Sequence, residues 1–205
     1  MFITFEGPEG GGKTTQISLL ASFLQDRGHR VLSTREPGGT RIGDQIRACL
    51  HDVNNKEMVA QTELLLYSAS RAQLVHEVIR PALAAGILVL CDRFYDSTLA
   101  YQGYGRGLDL AHLRQITGFA TSGLKPDLTL LFDIDVESGL TRRTAGGEEM
   151  NRLDLEALAF HQRVRHGFHA LAAAEPARWV VIDAGRDPQL VQADVRRLVM
   201  SRLTP

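Results

Sequence analysis

The stretch FITFEGPEGGGKTT, residues 2–15, decides how the rest of the chain must fold. Its first residues, 2–5, are aromatic or β-branched and predict a buried strand. Residues 7–14 follow with the spacing G-x-x-x-x-G-K-[ST], which is typical of a phosphate-binding loop. Apolar residues then recur at helical spacing over 17–24. A strand, a glycine-rich loop and a helix in this order form the setting in which such a loop binds phosphate groups.

The glycine-rich loop is predicted to bind a nucleoside triphosphate. Its glycines would let successive backbone N–H groups point into one hollow, at the positive end of the helix that begins near Lys13. Lys13 would reach the outer phosphates, and the Thr14 hydroxyl would bind Mg²⁺. A plain turn is the alternative, but it needs one glycine, whereas residues 10–12 are three consecutive glycines that are costly to order.

Composition favours a single α/β domain over residues 1–205, large enough to fold without disulfides. The formal net charge of −1 gives no overall basic field, which argues against a nucleic-acid partner. The chain has two cysteines, Cys49 and Cys91, a number that indicates a reducing compartment. Neither a signal peptide nor an apolar run of membrane-spanning length is evident. We therefore expect a cytoplasmic enzyme with no membrane partner.

Five predicted strands alternate with helices. After the first strand, apolar runs predict strands at 29–34, 87–91, 127–132 and 179–182, and helical spacing predicts helices from about residue 13 and at 41–51, 56–85, 97–102, 109–121, 153–174 and 188–203. The helix at 56–85 is expected to break or bend near Arg80-Pro81. Residues 145–149 are polar and predict a flexible insert. This order predicts an α/β fold with a doubly wound, five-stranded parallel sheet flanked by helices.

A second cluster of charged residues follows the strand at 87–91. Asp92 closes that strand at its carboxyl end, where a carboxylate can complete Mg²⁺ coordination, and Arg93 would face the same crevice. Arg35 and Arg71 add separate positive charges, which suggests a second phosphorylated ligand opposite the nucleotide. The chain lacks the Asn-Lys-x-Asp motif of a GTPase. Two facing anionic ligands therefore predict phosphoryl transfer.

Five stretches of the sequence, spread over nearly the whole chain, resemble bacterial thymidylate kinases. They are FEGPEGGGKTT at 5–15, TREPGGT at 34–40, LLLYSASR at 64–71, DRF followed by STLAYQG within 92–103, and PDLT at 126–129. The combination of REPGGT with DR-x-x-x-S-x-x-x-Y-Q-G is specific to that family. The resemblance implies a P-loop kinase architecture with a mobile lid, commonly as a homodimer. It also implies transfer of the γ-phosphoryl group of ATP to dTMP, with Mg²⁺, giving dTDP for dTTP synthesis and DNA replication.

The resemblance assigns ATP-binding residues, acceptor-binding residues and metal ligands. The implied ATP-binding residues are Gly7, Pro8, Glu9, Gly10, Gly11, Gly12, Lys13, Thr14 and Thr15 in the loop, with Arg142 and Arg143 beyond it. The implied residues around dTMP are Glu9, Arg35, Tyr67, Arg71, Arg93, Ser97, Tyr101 and Gln102. The implied metal ligands are Thr14 and Asp92. All of these small ligands would meet in one crevice.

The resemblance also gives each acceptor residue a role. Glu9 would accept from the sugar 3′-hydroxyl, Arg35 and Arg93 would bind the phosphate, and Arg71 would donate to a thymine carbonyl. Tyr67 stands where the family usually has a phenylalanine stacked on the thymine, and tyrosine can also stack. Tyr101 would crowd the 2′ carbon and disfavour ribonucleotides, while Ser97 and Gln102 would line the pocket.

The segment at about 141–154 is the implied lid, and here the sequence departs from the family pattern. Family members whose loop is acidic and lacks arginine usually carry several lid arginines, ending in Asp-Arg-x-Glu. This chain has Arg142, Arg143 and Arg152, and reads Asn-Arg-Leu-Asp at 151–154. We expect Arg152 to reach the transferring phosphoryl group, so the implied catalytic set is Lys13, Arg93 and Arg152.

Alternative interpretations remain at the sequence level. Arg35 and Arg71 could be solvated surface charges, Tyr67 could be a core residue, and Asp133 is a second candidate ligand for Mg²⁺. A kinase for another small acceptor is also compatible; a deoxynucleoside kinase would need Asp92 or Glu36 as a base. An ATPase or nucleotide-dependent switch without an acceptor would not require Tyr67 or Arg71.

Overall fold

Our computed structural model describes residues 1–146 and 150–203. In this part of the chain five parallel strands form one sheet, in the order β2-β3-β1-β4-β5. The strands are β1 Phe2–Glu6, β2 Val31–Arg35, β3 Leu88–Asp92, β4 Leu128–Asp133 and β5 Trp179–Asp183. The predicted five-stranded parallel sheet is confirmed.

Helices connect the strands and cover both faces of the sheet. They are α1 Lys13–Gln25, α2 Arg41–His51, α3 Ala60–Leu74, α4 Arg80–Ala84, α5 Tyr95–Thr98, α6 Leu110–Thr121, α7 Val136–Ala145, α8 Leu158–Ala174 and α9 Pro188–Leu203. Two π-helical segments, Val75–Ile79 and Leu99–Gly105, continue α3 and α5. Within the described residues, no helix is long and apolar enough to cross a membrane.

The sheet separates two apolar cores. On one face, α1 and α9 pack over alternating side chains of β1 and β4 such as Ile3 and Leu130. On the other face, α3, α6 and α8 pack over residues such as Phe2 and Leu131. Central strands covered on both faces are largely apolar, and the two buried threonines here, Thr4 and Thr129, hydrogen-bond to each other. The register pairs Phe5 with Asp92, so β1 and β3 end at the same level and deliver their following loops to one edge.

Two predicted helix starts are wrong, and the disturbance expected near Arg80-Pro81 takes the form of a π-helical turn. The helix expected at 56–85 begins at Ala60, and it is not broken at Pro81. A π-helical turn directly before it, in which the Arg80 N–H bonds to the Val75 carbonyl, accommodates the proline. The helix expected at 153–174 begins at Leu158, because Asn151 Oδ1 accepts from the N–H groups of residues 153 and 154 and holds a turn there.

The flexible insert expected at 145–149 falls partly on helix α7, which ends at Ala145; residues 147–149 lie outside the described residues. The predicted helix at 97–102 is helical in the structure. It consists of the end of α5 and part of the π-helical segment at 99–105. Such π turns are frequent at functional sites.

Helix α7 touches the glycine-rich loop backbone to backbone. A Cβ on Gly139 would collide with the carbonyl oxygen of Glu9, and a Cβ on Gly10 would collide with the carbonyl oxygen of Gly139. Glycine in a helix interior is less favourable than alanine by about 1 kcal/mol. The close approach explains why glycine occupies position 139 inside a helix.

We expect Gly139→Ala to displace the glycine-rich loop and to raise the KM for ATP about tenfold. A misplacement of about 1 Å can lower a rate by about 100-fold, so a tenfold effect corresponds to a smaller shift of the loop. Steady-state kinetics with varied ATP would measure the change. Two other helical glycines are matched controls. Gly118→Ala enters open space, whereas Gly167→Ala collides with Tyr104 away from the loop. An equal rise in KM for Gly167→Ala would show that crowding in general, and not this contact, is responsible.

Candidate active site

One large cleft opens at the carboxyl ends of β1, β2 and β3. Its volume is about 930 Å³, and it is lined on one side by the glycine-rich loop and on the other by residues of α3, α5 and the π-helical segment at 99–105. In parallel sheets this edge is the usual place for ligands. Most of the predicted site residues line this single cleft, although they come from distant parts of the sequence.

The glycine-rich loop curls around the start of α1. Gly7, Gly10 and Gly12 adopt positive φ values of 134°, 70° and 74°, which side chains with a Cβ rarely tolerate. Helix α1 begins directly after Gly12, so its unpaired N–H groups and positive dipole end face the hollow. The backbone therefore has the form that the phosphate-loop prediction requires.

Lys13 lies folded against this loop. Its Nζ donates to the carbonyl oxygens of Pro8 and Gly7, at 2.7 and 3.1 Å. Burial, together with repulsion from Arg93, lowers the pKa of Lys13 to about 8. Lys13 is thus a buried ammonium held by weak neutral acceptors, and an anionic phosphate would be a stronger partner.

Thr14 and Asp92, the two predicted metal ligands, are in direct contact. The Thr14 hydroxyl donates to Asp92 Oδ2 at 2.7 Å. Hydroxyl and carboxylate oxygens at a loop that binds phosphate suit a hard cation such as Mg²⁺, which takes its other ligands from water and phosphate. Asp133, the second candidate, instead binds Arg165 and His169 with its carboxylate. The donor set at Thr14 and Asp92 therefore fits the metal better.

Glu9 and Arg93 join the glycine-rich loop to the end of β3. Arg93 Nη2 donates to both oxygens of Glu9, at 2.8 and 2.9 Å, while Nη1 donates to the Gly7 carbonyl at 2.9 Å and to Ser97 Oγ at 3.2 Å. The Tyr101 hydroxyl donates to Glu9 Oε1 at 2.7 Å. Burial would raise the pKa of Glu9, but the nearby charges of Arg93 and Lys13 outweigh burial and lower it to about 2. Glu9 is therefore ionised throughout the physiological range.

Arg93 has an unusual backbone. Its φ of 65° lies in the left-handed region, which is uncommon for a residue other than glycine. Its N–H nevertheless donates to the Phe5 carbonyl at 2.9 Å, so the sheet fixes the turn. Strained backbone of this kind tends to occur where a side chain must take one particular position.

Arg71 and Glu36 form a buried ion pair beside the cleft. Arg71 Nε donates to Glu36 Oε2 at 2.7 Å, and Nη2 donates to the Phe94 carbonyl at 3.3 Å. Burial outweighs the charge of Arg71 and raises the pKa of Glu36 to about 7. Arg71 Nη1 is buried and has no hydrogen-bond partner in the described residues. An unpaired buried donor that lines a cleft is well suited to a ligand oxygen.

The other predicted acceptor residues also lie along the cleft. Tyr67 is half-buried, and Gln102 is buried with its amide Nε2 on Glu63 at 2.8 Å. Arg35 is exposed at the end of β2, 3.3 Å from Asp44. Its side chain is 55% exposed, so the guanidinium is accessible to a phosphate in the cleft.

The three predicted lid arginines are placed differently. Arg142 lines the cleft and donates to the carbonyl oxygens of Ala184 and Gly185. Arg143 also lines the cleft and donates to Asp154 Oδ2. Arg152 is not among the cleft-lining residues: its guanidinium binds Glu63 and the carbonyl oxygen of Leu50.

Three charged residues near the cleft were not predicted from the sequence. Glu6 is fully buried, accepts from the Phe94 N–H and the Ser97 hydroxyl, and has its pKa raised by burial and by Asp96. Arg47 on α2 lines the cleft and donates to the Pro37 carbonyl at 2.9 Å. Glu63 is buried among arginines. A carboxylate at the end of the apolar strand β1 was a signal for Glu6; Arg47 and Glu63 had no distinguishing pattern.

The parallel sheet, with a phosphate loop after β1 and with β3 ending in an aspartate that an arginine follows, defines a P-loop kinase. A family model described as thymidylate kinase matches residues 5–195. A thymidylate kinase of Geotalea uraniireducens (strain Rf4) is 53% identical over 207 residues, covering 98% of this chain and 97% of the relative. The chain belongs to the thymidylate kinase family.

Other relatives agree over the full length. A thymidylate kinase of Trichlorobacter lovleyi is 53% identical over 208 residues, covering 99% of this chain and 98% of the relative. The crystal structure of thymidylate kinase from Ehrlichia chaffeensis superimposes with a TM-score of 0.79 at 35% identity, and the match covers 98% of each chain. The resemblance drawn from the sequence motifs is confirmed.

The pKa of Lys13 predicts a pH dependence. Lys13 carries its charge below about pH 8 and loses it above, so kcat/KM for ATP should fall about tenfold per pH unit beyond that point. Once ATP is bound, the phosphates favour the charged lysine, and kcat should show no fall in the same range. Initial rates between pH 6.5 and 9.5 would measure both. Lys13→Arg, which stays charged, should abolish the fall; a fall that persists there would assign it to another group.

Proposed function

We propose that this cleft transfers the γ-phosphoryl group of ATP to dTMP, with ATP on the glycine-rich loop and dTMP between α3 and the end of β3. Phosphorylation of dTMP to dTDP, a step of dTTP synthesis for DNA replication, is the reaction of the thymidylate kinase family to which the chain belongs. The observation that carries the proposal is the Glu9–Arg93 ion pair. It places the cation proposed for the acceptor phosphate against the loop proposed for the donor phosphates.

The donor side would be held by the loop backbone over residues 7–15, by Lys13 and by Arg142 and Arg143. Lys13 would exchange its two carbonyl partners for phosphate oxygens. Thr14 and Asp92 would hold Mg²⁺, directly or through water. When bound, Mg²⁺ would neutralise charge on the donor phosphates.

The acceptor side would be held by residues with spare hydrogen-bonding capacity. Glu9 Oε2 accepts one hydrogen bond in the structure, so it can take a second from the sugar 3′-hydroxyl. Within the described residues the Nε–H of Arg93 makes no hydrogen bond, and we assign it, with Arg35, to the phosphate. Arg71 Nη1 would donate to a thymine carbonyl, and Tyr67 would stack on the ring.

Tyr101 and Ser97 would shape the rest of the acceptor pocket. The Tyr101 ring lies 5.1 Å from the Arg93 guanidinium carbon, and its hydroxyl is fixed on Glu9. A ring held so firmly beside the sugar-binding carboxylate would disfavour a 2′-hydroxyl. Ser97 accepts a hydrogen bond from Arg93 Nη1 and so helps to fix the arginine.

The transfer requires no general base. A phosphate monoester has a second pKa near 6 and is largely ionised at neutral pH, so the acceptor oxygen is already a nucleophile. The difficulty is to bring two anions into line and to neutralise charge in the transition state. Lys13 and Arg93 supply that charge. A deoxynucleoside acceptor is less compatible, because the candidate bases Asp92 and Glu36 are engaged by Thr14 and Arg71.

Arg152 would complete the catalytic set by moving. It is bound to Glu63 in the structure, so we propose that residues 150–154 shift when ATP and dTMP bind and bring Arg152 to the transferring group. This shift would close the lid over the nucleotide and exclude water. The positive charge of Arg152, once released from Glu63, would be stabilised by the incoming phosphates.

We also propose a homodimer located in the cytoplasm. Exposed apolar side chains lie on three neighbouring helices, with Ile42 on α2, Leu65 on α3 and Phe119 on α6, and Phe119 is 89% exposed. Covering such residues with a second copy would remove apolar surface from water. Light scattering that gives the mass of one chain at micromolar concentration would reject the homodimer. The unpaired thiols of Cys49 and Cys91 support a reducing compartment.

A coupled assay of ADP release from Mg-ATP tests the proposed reaction. Release should depend on dTMP, should be small with thymidine or with no acceptor, and should stop when EDTA removes Mg²⁺. Lys13→Ala should lower the rate by about 100-fold or more, because a charge that stabilises the transition state is lost. Lys56→Ala, at an exposed lysine, is the matched control. ADP release that needs no acceptor, or that continues in EDTA, would contradict the proposal.

A further inference from the structure

Glu63 is a buried carboxylate outside the assigned catalytic and ligand-binding groups, and it accepts hydrogen bonds from three side chains. It is 0% exposed. Arg106 donates to both of its oxygens, at 3.2 and 3.1 Å, Arg152 donates to Oε2, and Gln102 Nε2 donates to Oε1 at 2.8 Å. Burial would raise the pKa of Glu63, but the hydrogen bonds from Arg106 and Gln102 outweigh burial and hold the pKa below its usual range.

The position of Glu63 places it beside the proposed acceptor pocket. Glu63, Tyr67 and Arg71 are spaced by four residues on α3, so they follow one face of that helix. Tyr67, Arg71 and Gln102 all line the cleft. Glu63 lies behind them, and through Gln102 it contacts the pocket wall.

An ionised carboxylate accepts hydrogen bonds and cannot donate them. The Gln102 atom that faces Glu63 must therefore be the NH₂ group, and the amide oxygen must lie on the other side. Among the described residues, nothing donates a hydrogen bond to that oxygen. Glu63 thus determines that Gln102 offers the pocket an acceptor and not a donor.

We propose that Glu63 is a positioning residue that sets the base preference of the enzyme by fixing the amide of Gln102. This inference rests on the acceptor pocket assigned under Proposed function. Arg71 and Gln102 line the same cleft, and the unpaired Nη1 of Arg71 and the Gln102 oxygen offer one donor and one acceptor. A pyrimidine with an N3–H and a 4-carbonyl, such as thymine or uracil, matches both. Cytosine, with an unprotonated N3 and a 4-amino group, matches neither.

Glu63→Gln tests the proposal, because a neutral amide at 63 can donate as well as accept and lets the Gln102 amide take either orientation. We expect the ratio of kcat/KM for dTMP to that for dCMP to fall about tenfold, the usual scale of one misplaced buried hydrogen bond. The ratio for dTMP to dUMP should not change, since both bases carry N3–H. An unchanged dTMP to dCMP ratio, or an equal fall in both ratios, would overturn the proposal.

Three further variants distinguish a positioning role of Glu63 from a general loss of catalysis, from a folding defect and from a wrong assignment of the pocket. Arg152→Ala removes an arginine from the same carboxylate without touching Gln102, so kcat should fall for both acceptors and their ratio should not change. Glu63→Asp keeps the charge but withdraws it from Gln102, and serves with the same expected fall if Glu63→Gln does not fold. Gln102→Leu should abolish the preference. If Gln102→Leu leaves the dTMP to dCMP ratio intact, the proposed acceptor pocket itself is wrong.

Discussion

The Glu9–Arg93 ion pair is the interaction on which the proposed active site depends. Glu9 belongs to the loop after β1, and Arg93 belongs to the turn after β3, so the pair fixes the distance between the two sides of the cleft. Arg93 is fixed further by Ser97 and by the Gly7 carbonyl, and Glu9 by Tyr101. Because both groups are ionised and partly buried, neither can be removed without leaving the other charge uncompensated.

The same arrangement balances charge before any ligand binds. Lys13 and Arg93 both donate to the Gly7 carbonyl oxygen, and two cations so close together would be unfavourable without an anion. Glu9 supplies that anion in the structure, and we propose that the phosphates of ATP and dTMP supply it during turnover. The cleft is thus set up to hold negative charge without a base, which is what transfer between two phosphates requires. We propose a parallel role for Glu63, which would orient the Gln102 amide toward the base of the acceptor.

The sheet and much of the candidate site could be predicted from local sequence. The glycine-rich loop, the apolar strands and the residues after β3 carry their signals within a few positions, since backbone form and burial are set locally there. The buried position and the ion pairs of Glu63 could not be predicted in this way. They depend on Arg106 and Arg152, which lie 43 and 89 residues away in the chain. The same holds for Gly139, whose need for a missing Cβ follows from the crossing of α7 over the loop. The late start of α8 depends on the side chain of Asn151.

A double-mutant cycle on Glu9 and Arg93 tests the central claim most directly. The claim is that the two residues act as one unit that sets the geometry between donor and acceptor. We expect Glu9→Gln and Arg93→Gln each to lower kcat/KM for dTMP strongly, and the double variant to be little worse than the poorer single variant. If the losses in the double variant instead multiply, the two residues act independently. The ion pair would then not be what holds the site together.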